Sequence, residues 1–96
     1  MTRKEILEAA EKCVCGDRDR QYGSPENSFT AIADLWNAFL WAREEPGDLL
    51  TAADVAAMMV LFKVGRIATG QNKDDNWVDI AGYAACGGEV SNSEQI

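Results

Sequence analysis

The sequence predicts an all-α domain of four helices, on three observations. Apolar residues recur every three to four positions, which is the period of an α-helix that packs against a core. Strong helix-start signals precede these segments, and no segment shows the period-two alternation of a half-buried strand. Because 96 residues leave room for a single hydrophobic core, we expect one domain over residues 1–96.

The first two helices have recognisable starts and ends. Thr2 and Glu5 form a predicted capping box, and Gly16 ends the helix that follows. Ser24-Pro25 is a typical start for the second helix, with a hydroxyl N-cap and a proline at the first helical position. Pro46-Gly47 ends that segment.

The last two helices are bounded in the same way. Thr51 and Asp54 form a second predicted capping box, and their helix runs to about Ala68, with Gly70 beyond its end. The fourth helix begins at Asp74 or Asp75, and Gly87-Gly88 is expected to stop it. It carries its apolar residues on one side, namely Trp77, Ile80, Ala81 and Ala84.

Composition and charge argue against several classes of function. The net charge is −7, so direct binding to nucleic acid phosphates is not expected. The longest apolar stretch is interrupted by Asp54, Lys63 and Arg66, which argues against a membrane span, and we see no signal peptide. No histidine can serve as a catalytic base, and no Walker-type phosphate loop is present. These features favour a cytoplasmic protein.

The cysteines predict no metal site. There are three, Cys13, Cys15 and Cys86, and no histidine completes a zinc set. We expect buried or half-buried free thiols in a reducing compartment.

The third helix is apolar nearly all round, which is typical of the central helix of a bundle or of a helix buried by a second subunit. Trp41 and Leu35 widen the apolar stripe of the second helix beyond what a four-helix monomer would cover. Excess apolar surface of this kind indicates a subunit interface, so we expect dimerisation to complete the domain.

Charged residues at the junction of the third and fourth helices form the main candidate site. Lys63 and Arg66 emerge from the apolar third helix, and a cation there needs a partner. In the structural interpretation, Asp79 pairs with Arg66 or Lys63 and holds two helices in register. This is the more common role of such clusters, because charge clusters mark function only part of the time.

The functional interpretation of the same cluster is a magnesium or phosphate site. Asp75 and Asp79 share a face of the fourth helix, and Glu26 at the start of the second helix adds a third carboxylate. Mg²⁺ prefers such hard oxygen ligands, while Lys63 and Arg66 suit a phosphate.

The loop before the second helix has two interpretations as well. Arg18 and Arg20 precede a helix N-terminus, where free amides favour an anion. Alternatively, Asp17 and Asp19 offset the arginines and the loop is simply solvated, which is the usual role of charged loops.

Three blocks of the chain resemble a small family of phage and prophage proteins of unknown function. They are Asp17-Arg18 through Tyr22-Gly23-Ser24-Pro25-Glu26-Asn27, then Asp54-Val-Ala through Lys63 and Arg66, and finally Lys73-Asp74-Asp75-Asn76-Trp77-Val78-Asp79-Ile80-Ala81-Gly82-Tyr83-Ala84-Ala85. The likeness extends from Ile6 to Val90, and the last block is specific.

A four-helix domain whose last helix carries Asp-x-x-Gly-Tyr is also distantly similar to the MazG-like all-α nucleoside triphosphate pyrophosphohydrolases. In that group, acidic motifs on adjacent helices bind magnesium. Asp79 matches the acid of the second motif, whereas Asn76 stands where that motif has another acid, and the glutamates of the first motif have no match. The resemblance therefore implies nucleotide binding more than hydrolysis.

Together these observations predict a phage-derived protein of the host cytoplasm, dimeric and MazG-like, that binds a nucleotide or related phosphate ester with Mg²⁺. If it is an enzyme, the resemblance implies a pyrophosphohydrolase. The residues expected to hold phosphate are Arg18, Arg20, Lys63 and Arg66, and those expected to hold the metal are Glu26, Asp75 and Asp79. The alternative is a non-enzymatic acidic protein that binds and inhibits a host protein, such as a basic nucleic-acid-binding one.

Overall fold

The structure of the protein is a computed structural model that describes residues 1–17, 25–71 and 73–94. Its helices are α1 (Arg3–Lys12), α2 (Pro25–Ala42), α3 (Ala52–Ala68) and α4 (Asp74–Glu94), and a π-helical turn (Cys13–Asp17) continues α1. The described residues include no strand, so the predicted all-α class with four helices is confirmed. Within those residues, none of the helices combines the length and the apolar character needed to cross a bilayer.

Helix α3 is the central helix, with α2 packed along one side and α4 along the other. A glycine makes the first of these contacts close, because a Cβ at Gly65 would lie 2.7 Å from Cγ1 of Ile32. The indole of Trp36 adds a hydrogen bond between the same helices by donating to the carbonyl oxygen of Met58 at 2.7 Å. Of the two roles predicted for the apolar third helix, the central position is the one observed.

The ends of α3 follow the sequence prediction. The capping box is complete, since Asp54 N–H donates to the Thr51 hydroxyl at 3.1 Å and Thr51 N–H donates to the Asp54 carboxylate at 2.9 Å. Beyond the C-terminus, Gly70 has φ of 101°, and Gln71 N–H donates to the carbonyl of Arg66 at 3.0 Å. This left-handed glycine ends the helix in a Schellman-type cap.

The other predicted helix starts fare differently. At α1, Glu5 N–H donates to the Thr2 hydroxyl at 3.2 Å, but the Glu5 carboxylate accepts from that hydroxyl instead of the Thr2 amide. Only half of the capping box is therefore formed. Helix α2 begins at Pro25 and ends at Ala42, before Pro46-Gly47, while the predicted N-cap Ser24 lies outside the described residues.

The prediction that Gly87-Gly88 stops the fourth helix is wrong, because α4 continues through both residues to Glu94. A Cβ at Gly87 would lie 2.8 Å from Cβ of Ala56, so this glycine provides a close approach between two helices. The part of α4 beyond Gly88 is also held in place at its end. The Glu94 carboxylate accepts from Ala53 N–H at 3.1 Å, which satisfies a free amide at the start of α3.

The side of α4 that faces α3 also differs from the prediction. Trp77, Ala81 and Ala84 are exposed, whereas Asn76 is buried with only 4% of its surface accessible. The half-buried residues are Asp79, Ile80, Tyr83, Gly87 and Ser91. The predicted packing side was centred on Trp77, whereas the side of α4 that packs on α3 includes Asn76 and leaves Trp77 exposed.

Helix α1 stands apart from the other three. All of its residues are exposed, and its substantial packing is with the π-helical turn that continues it. The three cysteines are free as predicted, but all are exposed, which corrects the prediction that they are buried or half-buried. Two of them lie on the π-helical turn, and so they share the exposure of α1.

Candidate functional site

The predicted charge cluster contains one short ion pair. Lys63 of α3 and Asp79 of α4 approach to 2.8 Å between Nζ and a carboxylate oxygen. The lysine side chain is only 14% exposed, whereas that of the aspartate is 44% exposed. Of the two pairings left open by the sequence, the structure therefore has Asp79 with Lys63. The pair crosses the α3–α4 seam and leaves a carboxylate partly open to solvent.

The second predicted cation, Arg66, takes part in a polar network at the turn between α3 and α4. Its Nε donates to the side-chain carbonyl of Gln71 at 2.8 Å. The amide of Asn76 in turn donates to the backbone carbonyl of Gln71 at 2.7 Å. Gln71 and Asn76 are both buried, so the network fixes the turn that brings α4 against α3.

An aromatic ring supports both cations from the α3 side. The ring centroid of Phe62 lies 5.5 Å from Nζ of Lys63 and 5.4 Å from Cζ of Arg66. These distances are within the range of a cation–π attraction. Lys63 and Arg66 thus belong to one cationic and aromatic cluster, which adjoins the carboxylate of Asp79.

The three predicted metal ligands are not brought together. Asp75 and Glu26 are exposed in the first turns of α4 and α2, while Asp79 is engaged with Lys63. In the part of the chain that the structure describes, no group of three or more Asp, Glu or Cys side chains is close enough to hold a metal ion. Arg18 and Arg20, the other two predicted phosphate ligands, lie outside the described residues.

Two polar features of the structure were missed from the sequence, one at the site and one at the turn between α2 and α3. One is the buried pair Gln71 and Asn76, although Asn76, Ile80, Tyr83 and Gly87 follow a helical stripe that could have indicated the packed side of α4. The other is Arg43, which forms a 3.2 Å ion pair with Asp54 and donates to the carbonyl oxygens of Asp48 and Leu49, both at 3.0 Å. No local pattern marks Arg43, because its partners are set by the turn between α2 and α3.

Fold and site together define a small all-α domain whose central helix presents a largely buried lysine to a carboxylate of the next helix. The chain belongs to the family described as "Domain of unknown function (DUF6378)", which matches residues 5–91. No solved structure matches the chain.

Two relatives come from mycobacteriophages. The chain is 38% identical over 84 residues to the Gene 55 protein of Mycobacterium phage D29 and 39% identical over 79 residues to the Gene 55 protein of Mycobacterium phage L5. These matches cover 86% and 82% of this chain but 51% and 47% of the relatives, so the chain spans about half of their length. The predicted resemblance to a phage family of unknown function is confirmed, whereas the relation to MazG-like proteins stays a prediction.

Proposed function

We propose that this phage-family protein binds a nucleotide or a related phosphate ester, together with Mg²⁺, at the α3–α4 seam in the host cytoplasm. The observation that carries the proposal is the Lys63–Asp79 pair, in which a mostly buried cation meets a partly exposed carboxylate. An ammonium group has three protons to donate, so Lys63 can donate a hydrogen bond to a phosphate while it still donates one to Asp79.

The metal part of the proposal needs only one protein carboxylate. Mg²⁺ usually keeps several waters and binds through one or two carboxylates plus substrate phosphates, so a cluster of three acids is not required. Asp79 is the natural ligand, because its carboxylate is partly open and a phosphate on Lys63 would lie beside it. Arg66 adds positive charge near the same aromatic ring.

Hydrolysis is the less supported part of the proposal. The distant MazG-like resemblance implies pyrophosphate release, but Asn76 stands where an acid is expected. Asn76 is buried, and its side-chain amide donates a hydrogen bond to the backbone carbonyl of Gln71. That asparagine has a structural role and no carboxylate to offer a metal. We therefore propose binding first, and turnover only where binding is found.

The test is a thermal-shift screen against nucleoside mono-, di- and triphosphates, each with and without Mg²⁺. A ligand at a hundred times its dissociation constant adds about 2.7 kcal/mol of stability, which raises the Tm of a domain this size by roughly 10 to 20 °C. We expect a Mg²⁺-dependent rise in the wild type and its loss in Asp79→Asn. The readout is the ligand-induced shift, so a lower Tm of the unliganded variant does not affect it.

Asp34→Asn is the matched control, because Asp34 is an exposed carboxylate on α2. This variant is expected to keep the full ligand-induced shift. A flat response of the wild type across the panel, or an equal shift in Asp79→Asn, would overturn the proposal. A positive panel would be followed by an assay of pyrophosphate release from the ligand that binds.

A second candidate function is suggested by the turn between α2 and α3. Trp41 at the end of α2 and Leu49 in the turn are both exposed, Leu49 to 91%. Three exposed acids lie between these two residues, namely Glu44, Glu45 and Asp48. Apolar side chains amid acids suit a basic protein partner. On this proposal the protein is not an enzyme but binds and inhibits a host protein, for example one that binds nucleic acid.

This alternative is tested by pull-down from host lysate with the wild type and with Trp41→Ala/Leu49→Ser. A partner retained by the wild type and lost by the double variant would support it. Val78→Ser is the control, since Val78 is exposed on α4, away from this turn. Equal capture by all three proteins would contradict the alternative.

A further inference from the structure

An apolar groove lies open between α2 and α3. It has a volume of about 250 Å³, and its lining residues are Phe29, Ile32, Ala33, Trp36 and Phe62. Phe29 is exposed to 57% although it belongs to the apolar stripe of α2. The groove therefore presents aromatic surface to water, which is costly for an isolated domain.

A complementary apolar stripe lies on α1 and its π-helical turn. Ile6, Leu7, Ala10, Cys13 and Val14 recur at helical spacing and all are exposed, Leu7 to 68%. At about 1.5 Å per residue, the stripe from Ile6 to Val14 is about 12 Å long, and the α2 side of the groove from Phe29 to Trp36 is about 10 Å long. The stripe and the groove thus match in length and in chemistry.

The accessible surface of the chain indicates how much must be covered. It measures 7089 Å², whereas a folded monomer of 10.5 kDa is expected to expose about 5,400 Å². The excess of about 1,700 Å² per chain is within the range that an obligate dimer buries on each subunit. Among the described residues, Ile32 is the one apolar side chain that is buried, with 6% of its surface accessible, so much of the core is incomplete.

The charge distribution of the chain also allows a second copy of it to fill the groove. The chain carries −7 overall, but the α1 segment RKEILEAAEK has three cations and three anions and no net charge. A helix with no net charge can approach an acidic copy of the same chain without net repulsion. Since each copy has both a stripe and a groove, two reciprocal contacts close a twofold dimer and leave neither surface open.

We propose that the protein is an exchanged homodimer, in which the apolar stripe of α1 from each copy fills the α2–α3 groove of the other. The contact is made by α1 and the α2–α3 groove and does not require the proposed ligand, although Phe62 both lines the groove and lies beside Lys63. In this dimer α1 acts as a docking arm, which explains why every residue of the helix is exposed in the single chain.

The test combines sedimentation analysis with two charge-inserting variants, Leu7→Glu in the stripe and Ala33→Glu in the groove. Both positions are exposed in the single chain, so each variant is expected to fold, which far-ultraviolet circular dichroism checks. The wild type is expected to be a dimer at micromolar concentration. Each variant alone should raise the dimer dissociation constant at least tenfold.

Mixing the two variants gives the sharpest result. An intact stripe from Ala33→Glu can then fill an intact groove from Leu7→Glu, so the mixture should associate more strongly than either variant alone. The control is Lys12→Gln, which changes the net charge by the same amount as Leu7→Glu but on the opposite side of α1. It should leave the dimer intact.

Three outcomes would overturn the proposal. A monomeric wild type would exclude the second copy, and destabilisation of that monomer by Leu7→Glu would point to docking of α1 within its own chain. A dimer insensitive to both variants would use another surface. A mixture no stronger than its components would exclude reciprocal exchange.

Discussion

At the scale of single residues, burial decides which polar groups have a fixed role. Asn76 occupies a position where the predicted MazG-like resemblance implies an acid, and its amide donates to a backbone carbonyl in the interior. A carboxylate has no proton to donate at neutral pH, so it could not replace this interaction. The asparagine is thus explained by the turn it holds and not by a metal site.

We therefore expect Asn76→Asp to lower the free energy of unfolding by about 2 to 3 kcal/mol, because it leaves the carbonyl of Gln71 without its donor and buries a charge. Urea denaturation gives the value. The same substitution at exposed Asn37 on α2 is the control and should change stability by no more than about 0.5 kcal/mol. Equal effects at both sites would show that the buried hydrogen bond contributes little.

At the scale of helices, the starts and ends of α3 were predictable because their signals are local. The capping box of Thr51 and Asp54 spans one turn, and Gly70 adopts the positive φ that favours glycine. The end of α4 was not predictable in this way. Gly87-Gly88 resembles a helix stop in sequence, but the neighbouring Ala56 determines its role.

The two adjacent glycines of α4 should respond oppositely to alanine. Gly88→Ala meets nothing within 4 Å and is expected to stabilise the protein by about 0.5 to 1 kcal/mol through helix propensity. Gly87→Ala would place its Cβ against that of Ala56, so we expect a net loss of about 1 kcal/mol or more despite the same propensity gain. Thermal denaturation of the two variants checks the contrast, and stabilisation by both would contradict the close packing.

The cap of α3 should be worth a measurable amount. Thr51→Ala removes a hydroxyl that accepts from Asp54 N–H, and we expect it to cost about 1 to 2 kcal/mol. Thr30→Ala is the control, because Thr30 is an exposed residue inside α2 whose hydroxyl donates to a carbonyl of its own helix. Its stability in urea should match the wild type to within about 0.5 kcal/mol, and a comparable loss there would remove the argument for a specific cap.

At the scale of the whole molecule, three helices form a layer with α3 in the middle, and α1 lies away from it. Several large apolar side chains of these helices are accessible to solvent, among them Phe29, Val64 and Trp77. A single layer of helices lacks the second layer that usually completes a hydrophobic core. The expectation that dimerisation completes the domain follows from this surface.

Stability should therefore depend on protein concentration. If folding is coupled to dimer formation, a tenfold increase in concentration stabilises the folded state by about 1.4 kcal/mol, and the Tm should rise by several degrees. Differential scanning calorimetry over a hundredfold range of concentration measures the effect. A Tm that does not change, or that changes equally in Leu7→Glu, would contradict coupling through the α1 stripe.

The sequence by itself determined the helices and most of their boundaries, because capping residues, turn glycines and the apolar period act within a few positions along the chain. It left open whether α3 is the central helix or is buried by a second subunit. Only the tertiary structure decided that Lys63 pairs with Asp79, that Asn76 and not Trp77 faces α3, and that α4 passes through Gly87-Gly88. The physical reason is that these outcomes depend on the rotation and spacing of neighbouring helices. The rotation and spacing of the helices are set by contacts with Ala56, Gln71 and Ile32. The contacts with Ala56 and Ile32 join residues far apart in the chain, so no single segment of the sequence encodes them.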